Sequence, residues 1–291
     1  MALDSSLILP DGRRLGYAEF GDPGGAPVLY FHGSPSSRLE PLFIGDETWR
    51  RLGLRVIAPD RPGMGLSDFQ PRRGFSDWPR DVTVLADALG IERFSVMGFS
   101  GGGPYVAVCA AKIPERIHSA VIVSGGWQMT TPEAREGLPF MNRIMLTFSR
   151  RAPALLRLLL TGMGSINQGE REKELAQFKK RLPAADHAAL SEPGRLEAFG
   201  QGIRESLRQG TRGPAWDLRL VVHPFDFRLD EIRMPLHLFH GTLDRNSPVA
   251  LARRAAAEIP GAQLTVYPED AHLSTLCNHV EEFARILHRH S

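Results

Sequence analysis

Three side chains scattered along the chain have the types that acyl transfer needs: Ser100 as nucleophile, His272 as base and Asp244 as the acid that orients it. Ser100 lies in VMGFSGGGP (96–104), fenced by Gly98, Gly101, Gly102 and Gly103. Glycine suits conformations and close approaches that a Cβ forbids, so the chain turns sharply here. Gly98-Phe99-Ser100-Gly101-Gly102 fits G-x-S-x-G between an apolar run and a helix-forming segment, a context that holds a serine hydroxyl above a sheet in a strained backbone. A dinucleotide-binding G-x-G-x-x-G turn does not fit, because Ser100 occupies the glycine that must approach the pyrophosphate. No lysine follows, which removes a phosphate-binding loop.

A serine hydroxyl is a weak nucleophile at neutral pH and needs a base within hydrogen-bond reach. Asp244, in HGTLDRNSP, follows the apolar run LHLFH and precedes a helical segment, which places it on a loop at the carboxyl end of a strand. His272, in YPEDAHLS, follows the next strand-like run and reaches the same rim. Asp270 is too close in sequence to His272 to orient its far nitrogen, Glu269 reads as a solvated loop charge, and the loop SGGWQ (124–128) offers no carboxylate. His237 and His240 point to opposite strand faces and make no metal pair. His279 is predicted on the surface of the last helix.

Those residues need a scaffold of strands. Asp11-Gly12 between two strand-like runs predicts an opening hairpin. Non-alternating apolar runs at 27–33, 54–60, 94–100 and 118–126 read as strands buried on both faces, and the helical spacing between them predicts parallel crossovers. One such helix starts at Ser76-Asp77 and stops near Leu89-Gly90. From about Trp127 to Asp226 the strand-like runs vanish and helical periodicity takes over. The strand and helix rhythm returns with MPLHLFHG (234–241), a helix from Pro248 to Ile259, AQLTVYP (262–268) and a final helix near Cys277–His288. The fold class is α/β, with a mostly parallel sheet.

The composition is that of a globular chain: 291 residues, 42% hydrophobic, with 35 basic and 33 acidic residues. A net charge of +2 gives no single-sign field for nucleic acid or an anionic membrane. The start MALDSSLILPDGRR lacks a positively charged leader, and no apolar stretch approaches the ~18 residues of a spanning helix. A cytoplasmic location is expected. The two cysteines, Cys109 and Cys277, sit in helical contexts and read as buried free thiols.

The order Ser100, Asp244, His272, together with the hairpin, HGS (32–34), DRPGMGLS (60–67) and GFSGG (98–102), resembles the α/β-hydrolase fold superfamily, in its serine esterase and proline-iminopeptidase-like branch. The likeness covers about residues 5–126 and 230–291. It implies a core of 1–126 and 230–291, with 127–229 as a helical cap over the carboxyl rim. It also implies an oxyanion hole from the backbone N–H groups of Gly101 and Ser34, with Phe99, Trp127, Met129 and Leu273 as pocket walls. The expected activity is hydrolysis of a small, largely apolar ester through an acyl-enzyme, without cofactor or metal. A proline-iminopeptidase-like amidase, a C–C hydrolase, a cofactorless perhydrolase and a slow-turnover ligand-binding receptor stay open on the same scaffold. The expected partner is a small-molecule substrate, with neither nucleic acid nor membrane, and a homodimer is left open. A neutral ester is favoured over an aminoacyl amide because the rim residues Ser34, Pro35, Phe99, Trp127, Met129 and Leu273 carry no carboxylate to hold an ammonium. The acids of the cap, Glu133, Glu136, Asp186, Glu192, Glu197 and Asp217, read as solvated helix faces.

Overall fold

The computed structural model describes residues 2–131, 133–165 and 168–288. Gly12, in the left-handed region, closes the turn between β1 (Ala2–Ile8) and β2 (Arg14–Gly21). β3 (Ala26–Phe31), α1 (Asp46–Arg51), β4 (Leu54–Pro59), α2 (Trp78–Ala88), β5 (Phe94–Phe99), α3 (Gly103–Lys112) and β6 (Ile117–Val123) follow. After a run of helices come β7 (Leu236–Gly241), α10 (Val249–Glu258), β8 (Ala262–Tyr267), α11 (His272–Asn278) and α12 (Val280–Leu287). Among the described residues the strands form one sheet in the order β1-β2-β4-β3-β5-β6-β7-β8. Only the pairs β1/β2 and β2/β4 are antiparallel.

The expected strands all form, and their burial explains why they were readable. Every residue of β5 is buried, as two-sided coverage requires. One cluster, including Phe31, Val96, Tyr105 and Ile122, packs α2, α3 and α10 on one face of the sheet. Another, including Tyr30, Trp49, Met97 and Phe283, packs α1, α11 and α12 on the other. The last helical stretch is two helices rather than one, broken at His279. Cys109 and Cys277 are buried and free.

The segment between β6 and β7 carries the helices α4 (Phe140–Arg151), α5 (Pro153–Ser165), α6 (Gln168–Lys180), α7 (Ala184–Ala189), α8 (Arg195–Ser206) and α9 (Arg212–Val221), and no strand among its described residues. α7 packs against α11, and α8 packs against a 3-10 turn at Glu40–Phe43. No helix among the described residues is long and apolar enough to cross a membrane.

The turn after β5 is packed directly against the end of β3. A Cβ on Gly102 would sit 1.9 Å from the carbonyl oxygen of Phe31, and one on Gly98 would sit 2.6 Å from that of Gly102. Gly102→Ala must push the end of β3 away from the turn. It is expected to cost about 3 kcal/mol in urea unfolding, the upper part of the range for overpacked sites.

Candidate active site

Ser100 stands at the carboxyl end of β5 with φ +51°, a strained value for a residue with a side chain. The N–H of Gly126, just beyond β6, donates to the Ser100 carbonyl at 2.7 Å and fixes the turn from the neighbouring strand. The structure joins the three sequence candidates in one chain of hydrogen bonds. His272 Nε2 lies 2.9 Å from Ser100 Oγ, and its Nδ1 lies 2.7 Å from Asp244 Oδ2. With Asp244 ionised, Nδ1–H donates to the carboxylate and Nε2 is left to accept the serine proton.

Asp244 sits on the loop after β7, where the N–H groups of Asn246 and Ser247 donate to its Oδ1 at 2.8 and 2.9 Å. His240 Nε2 lies 3.3 Å from Oδ2. Burial raises the Asp244 pKa, but the His272 charge and bonds from both histidines outweigh it and hold this carboxyl well below the ordinary carboxylate range. For His272 burial acts downward, and the facing Asp244 more than offsets it, so the imidazole titrates above its ordinary value. The His272 carbonyl accepts a bond from Ser124 Oγ at 3.0 Å, and Ser124 itself has φ +50°. The loop after β6, which offers no carboxylate, thus supports the histidine through a hydroxyl. Asp270 does not compete for His272: it binds Asn278 at 2.8 Å and His279 at 2.5 Å. His279 keeps part of its ring exposed while stacking on Tyr267 at 3.5 Å.

Two carboxylates from the helical segment turn inward, against the expectation of solvated faces. Asp186 on α7 accepts the N–H groups of Leu273 and Ser274, both at 2.8 Å, and Ser274 Oγ at 3.0 Å. It therefore satisfies backbone donors in the first turn of the helix that begins with His272. Asp217 on α9 is 4% exposed and binds four partners. Its Oδ2 accepts from Ser34 Oγ at 2.6 Å and Arg61 Nε at 2.8 Å, and its Oδ1 from Arg73 Nη2 at 2.5 Å and Tyr105 Oη at 2.7 Å. Burial works against its charge, yet Arg61 and Arg73 hold it well below the usual range. Arg61 also donates to the carbonyls of His32 and Gly33 and to Ser34 Oγ. The loop after β3 is therefore held by a buried ion cluster whose acid belongs to α9. Glu136, Glu192 and Glu197 are exposed as expected, and the Glu133 side chain lies outside the described residues.

A cavity of about 320 Å³ opens over Ser100. Of the expected walls, Phe99, Met129 and Leu273 line it, as do Ser34, Gly101 and His272. The main-chain nitrogen of Ser34 lies 3.1 Å from where a Cβ on Gly101 would stand, so the two expected oxyanion donors are close neighbours. Trp127 is a correction. It is 3% exposed, belongs to the core cluster under α3, and borders a separate surface groove. A Cβ on Gly125 would meet its indole nitrogen at 3.1 Å, so the ring folds back over Gly125 toward Ile122 rather than toward Ser100. The cavity wall also holds Glu40 and Asp217, which overturns the premise that it carries no carboxylate. Arg61, Arg73, Tyr105 and Glu40 were missed as site residues. Of these only Arg61 carried a sequence signal, in DRPGMGLS.

A strand-turn-helix serine, an acid after β7 and a histidine after β8 on this sheet define a hydrolase architecture. The chain belongs to the alpha/beta hydrolase fold family, whose model matches residues 26–276. It is 37% identical over 290 residues to a non-heme chloroperoxidase of Streptomyces lividans, covering 91% of this chain and 95% of that one. It is 28% identical over 283 residues to a 2-hydroxymuconate semialdehyde hydrolase of Pseudomonas putida, covering 96% of this chain and 91% of that one. A solved hydrolase from Pseudomonas aeruginosa PA01 superposes with a TM-score of 0.69 at 21% identity, covering 97% and 96% of the two chains.

Asp217→Asn leaves two buried guanidiniums with a neutral partner. Unfolding stability at neutral pH is expected to fall by about 3–5 kcal/mol, the cost typical of breaking a buried pair from one side. Because the folded pKa of Asp217 is depressed, its contribution is full above the ordinary carboxylate range and is lost as pH falls below that range toward and through the lowered folded value. The mutant's deficit in urea unfolding should accordingly narrow in acid.

Proposed function

We propose that the protein is a serine hydrolase of small, largely apolar carboxylic esters, with Ser100 as nucleophile, His272 as general base and acid, and Asp244 as the residue that orients the ring. Ser100 Oγ attacks the ester carbonyl carbon as its proton passes to His272 Nε2, giving a tetrahedral oxyanion held by the N–H groups of Ser34 and Gly101. His272 returns that proton to the departing alkoxide, leaving an acyl-enzyme and an alcohol. Water then attacks the acyl group by the same route and releases the acid. The helical segment 127–229 acts as a cap, supplying Met145, Leu146, Phe199, Leu218 and Val221 to the cavity wall.

The observation that carries this reading is the hydrogen-bond chain Ser100–His272–Asp244, opening into a wall that is mostly hydrocarbon. Hydrolysis of a muconate semialdehyde, as the name of the Pseudomonas putida relative gives for that protein, draws less support. A muconate semialdehyde carries a carboxylate, whereas this cavity presents Glu40 and Asp217, and the guanidiniums of Arg61 and Arg73 already bind Asp217.

Ser100→Ala should keep its thermal unfolding midpoint and lose on the order of a million-fold in kcat, as removal of a serine nucleophile does in subtilisin. p-Nitrophenyl butyrate should be cleaved with a higher kcat/KM than proline p-nitroanilide. The opposite ranking would move the assignment to an amidase.

The pH profile tests the roles of the other two residues. His272 must be neutral to accept the serine proton, and its pKa is raised. The acidic limb of kcat/KM should therefore fall above the ordinary histidine value of about 6.5. In Asp244→Asn the largest raising charge is gone while burial remains, so the limb should move to lower pH while turnover drops by about 10⁴-fold, as in the serine protease precedent. An unmoved limb would separate Asp244 from His272.

A further inference from the structure

Of the two carboxylates on the cavity wall, Asp217 is tied up by Arg61 and Arg73, whereas Glu40 has no part in the proposed chemistry. Glu40 starts the 3-10 turn Glu40–Phe43 and faces the cavity beside the nucleophile. A Cβ on Gly33 would lie 3.2 Å from Glu40 Oε2 and 3.3 Å from Ser100 Cβ, so the two flank the same point. The Glu40 oxygens accept from the Gly33 N–H at 2.8 and 3.0 Å, from Tyr30 Oη at 3.0 Å, and from the Ser36 hydroxyl. All of these donors are neutral.

No described cation forms an ion pair with Glu40. Arg61 acts on it only through space, its donors being bound to Asp217, to the His32 and Gly33 carbonyls and to Ser34 Oγ. Arg38, two residues away, is engaged with Leu3, Asp4, Asp60 and Glu205. A desolvated carboxylate is tolerated best when a charge of the opposite sign or further donors meet it. Here burial raises the Glu40 pKa, as expected of a carboxylate with no cation against it. The remaining open direction is the cavity.

We propose that Glu40 is a substrate-recognition residue that takes a cationic or N–H-bearing group, an ammonium by preference, a few bonds from the scissile carbonyl. The short reach follows from its shared contact point with Ser100. The inference rests on the serine-hydrolase reading and narrows it: the substrate is apolar except for one donor close to the ester, and anionic esters are disfavoured.

Two pairs of esters that exchange an ammonium for a methyl group test this. One is p-nitrophenyl leucinate against p-nitrophenyl 2,4-dimethylpentanoate, which varies the acyl side. The other is 2-aminoethyl butyrate against propyl butyrate, which varies the alcohol side. The wild type should favour the ammonium member of at least one pair by about tenfold or more in kcat/KM, the factor that a hydrogen bond to a charged group supplies. Glu40→Gln should remove most of that preference, and Glu40→Asp should keep part of it. Absence of preference in both pairs would overturn the proposal. So would a Glu40→Gln enzyme slowed equally on both members of a pair, since a role in shaping the loop or supporting the His272 charge acts on every ester alike. Calorimetric binding of leucinamide and 2,4-dimethylpentanamide to the Ser100→Ala protein needs no turnover. Tighter binding of leucinamide, abolished by Glu40→Gln, would uphold Glu40 even where no ester is cleaved, and only the hydrolase reading would then fall.

Discussion

The contact of Gly102 with the carbonyl of Phe31 is the constraint around which the site is built. It locks the turn after β5 against the end of β3, so Ser100 and the loop that follows β3 are placed by the same packing. The sheet order then does the rest. β3 brings Ser34 and Glu40 to one side of Ser100. β6, on the other side, brings Gly126 to its carbonyl and Ser124 to the carbonyl of His272. β7 and β8 deliver Asp244 and His272 from successive loops on the same rim. A displacement of β3 against β5 would disturb Ser100, the main-chain N–H groups of Ser34 and Gly101, and Glu40 together.

Four carboxylates surround this rim, and their surroundings give each a different task. Asp244 meets two histidines and two backbone N–H groups, and so holds its negative charge against the His272 ring. Asp217 meets two guanidiniums and is fixed as an anion, which makes it a tie between α9 and the loop after β3. Asp186 meets only backbone donors and a serine hydroxyl, and anchors the start of α11. Glu40 meets neutral donors alone and keeps one direction open. Residue type is shared among three of these, and only the partners distinguish them.

The strands and the three residues of the hydrogen-bond chain were legible in the sequence for physical reasons. Strands buried on both faces leave unbroken apolar runs, and a turn that excludes Cβ atoms leaves glycines at fixed offsets from Ser100. The acids of the helical segment were not legible, because helical spacing shows that a face is polar without showing what it meets. Asp186 and Asp217 lie on such faces, and these faces meet the core. Trp127 was misplaced because the direction of a side chain just past a strand end depends on its neighbour, here the bare Gly125. Glu40 belongs to no recurring pattern, and only the packing of its 3-10 turn against Gly33 and Tyr30 brings it to the cavity. The break at His279 escaped notice because Asp270 and Tyr267, distant in the helix pattern, hold that ring.

The ties made by Asp186 and Asp217 also bear on traffic. Swinging the whole helical segment away from the sheet would strand Arg61 and Arg73 without their shared anion and strip the first turn of α11 of its acceptor, a heavy penalty on both flanks at once. The gentler doorway lies between those anchors, where α4, α6 and α8 border the cavity with the uncharged side chains of Asn142, Met145, Leu146, Phe178 and Phe199. Small rotations of such side chains break no ion pair. A passage at this edge would leave both ionic seams shut.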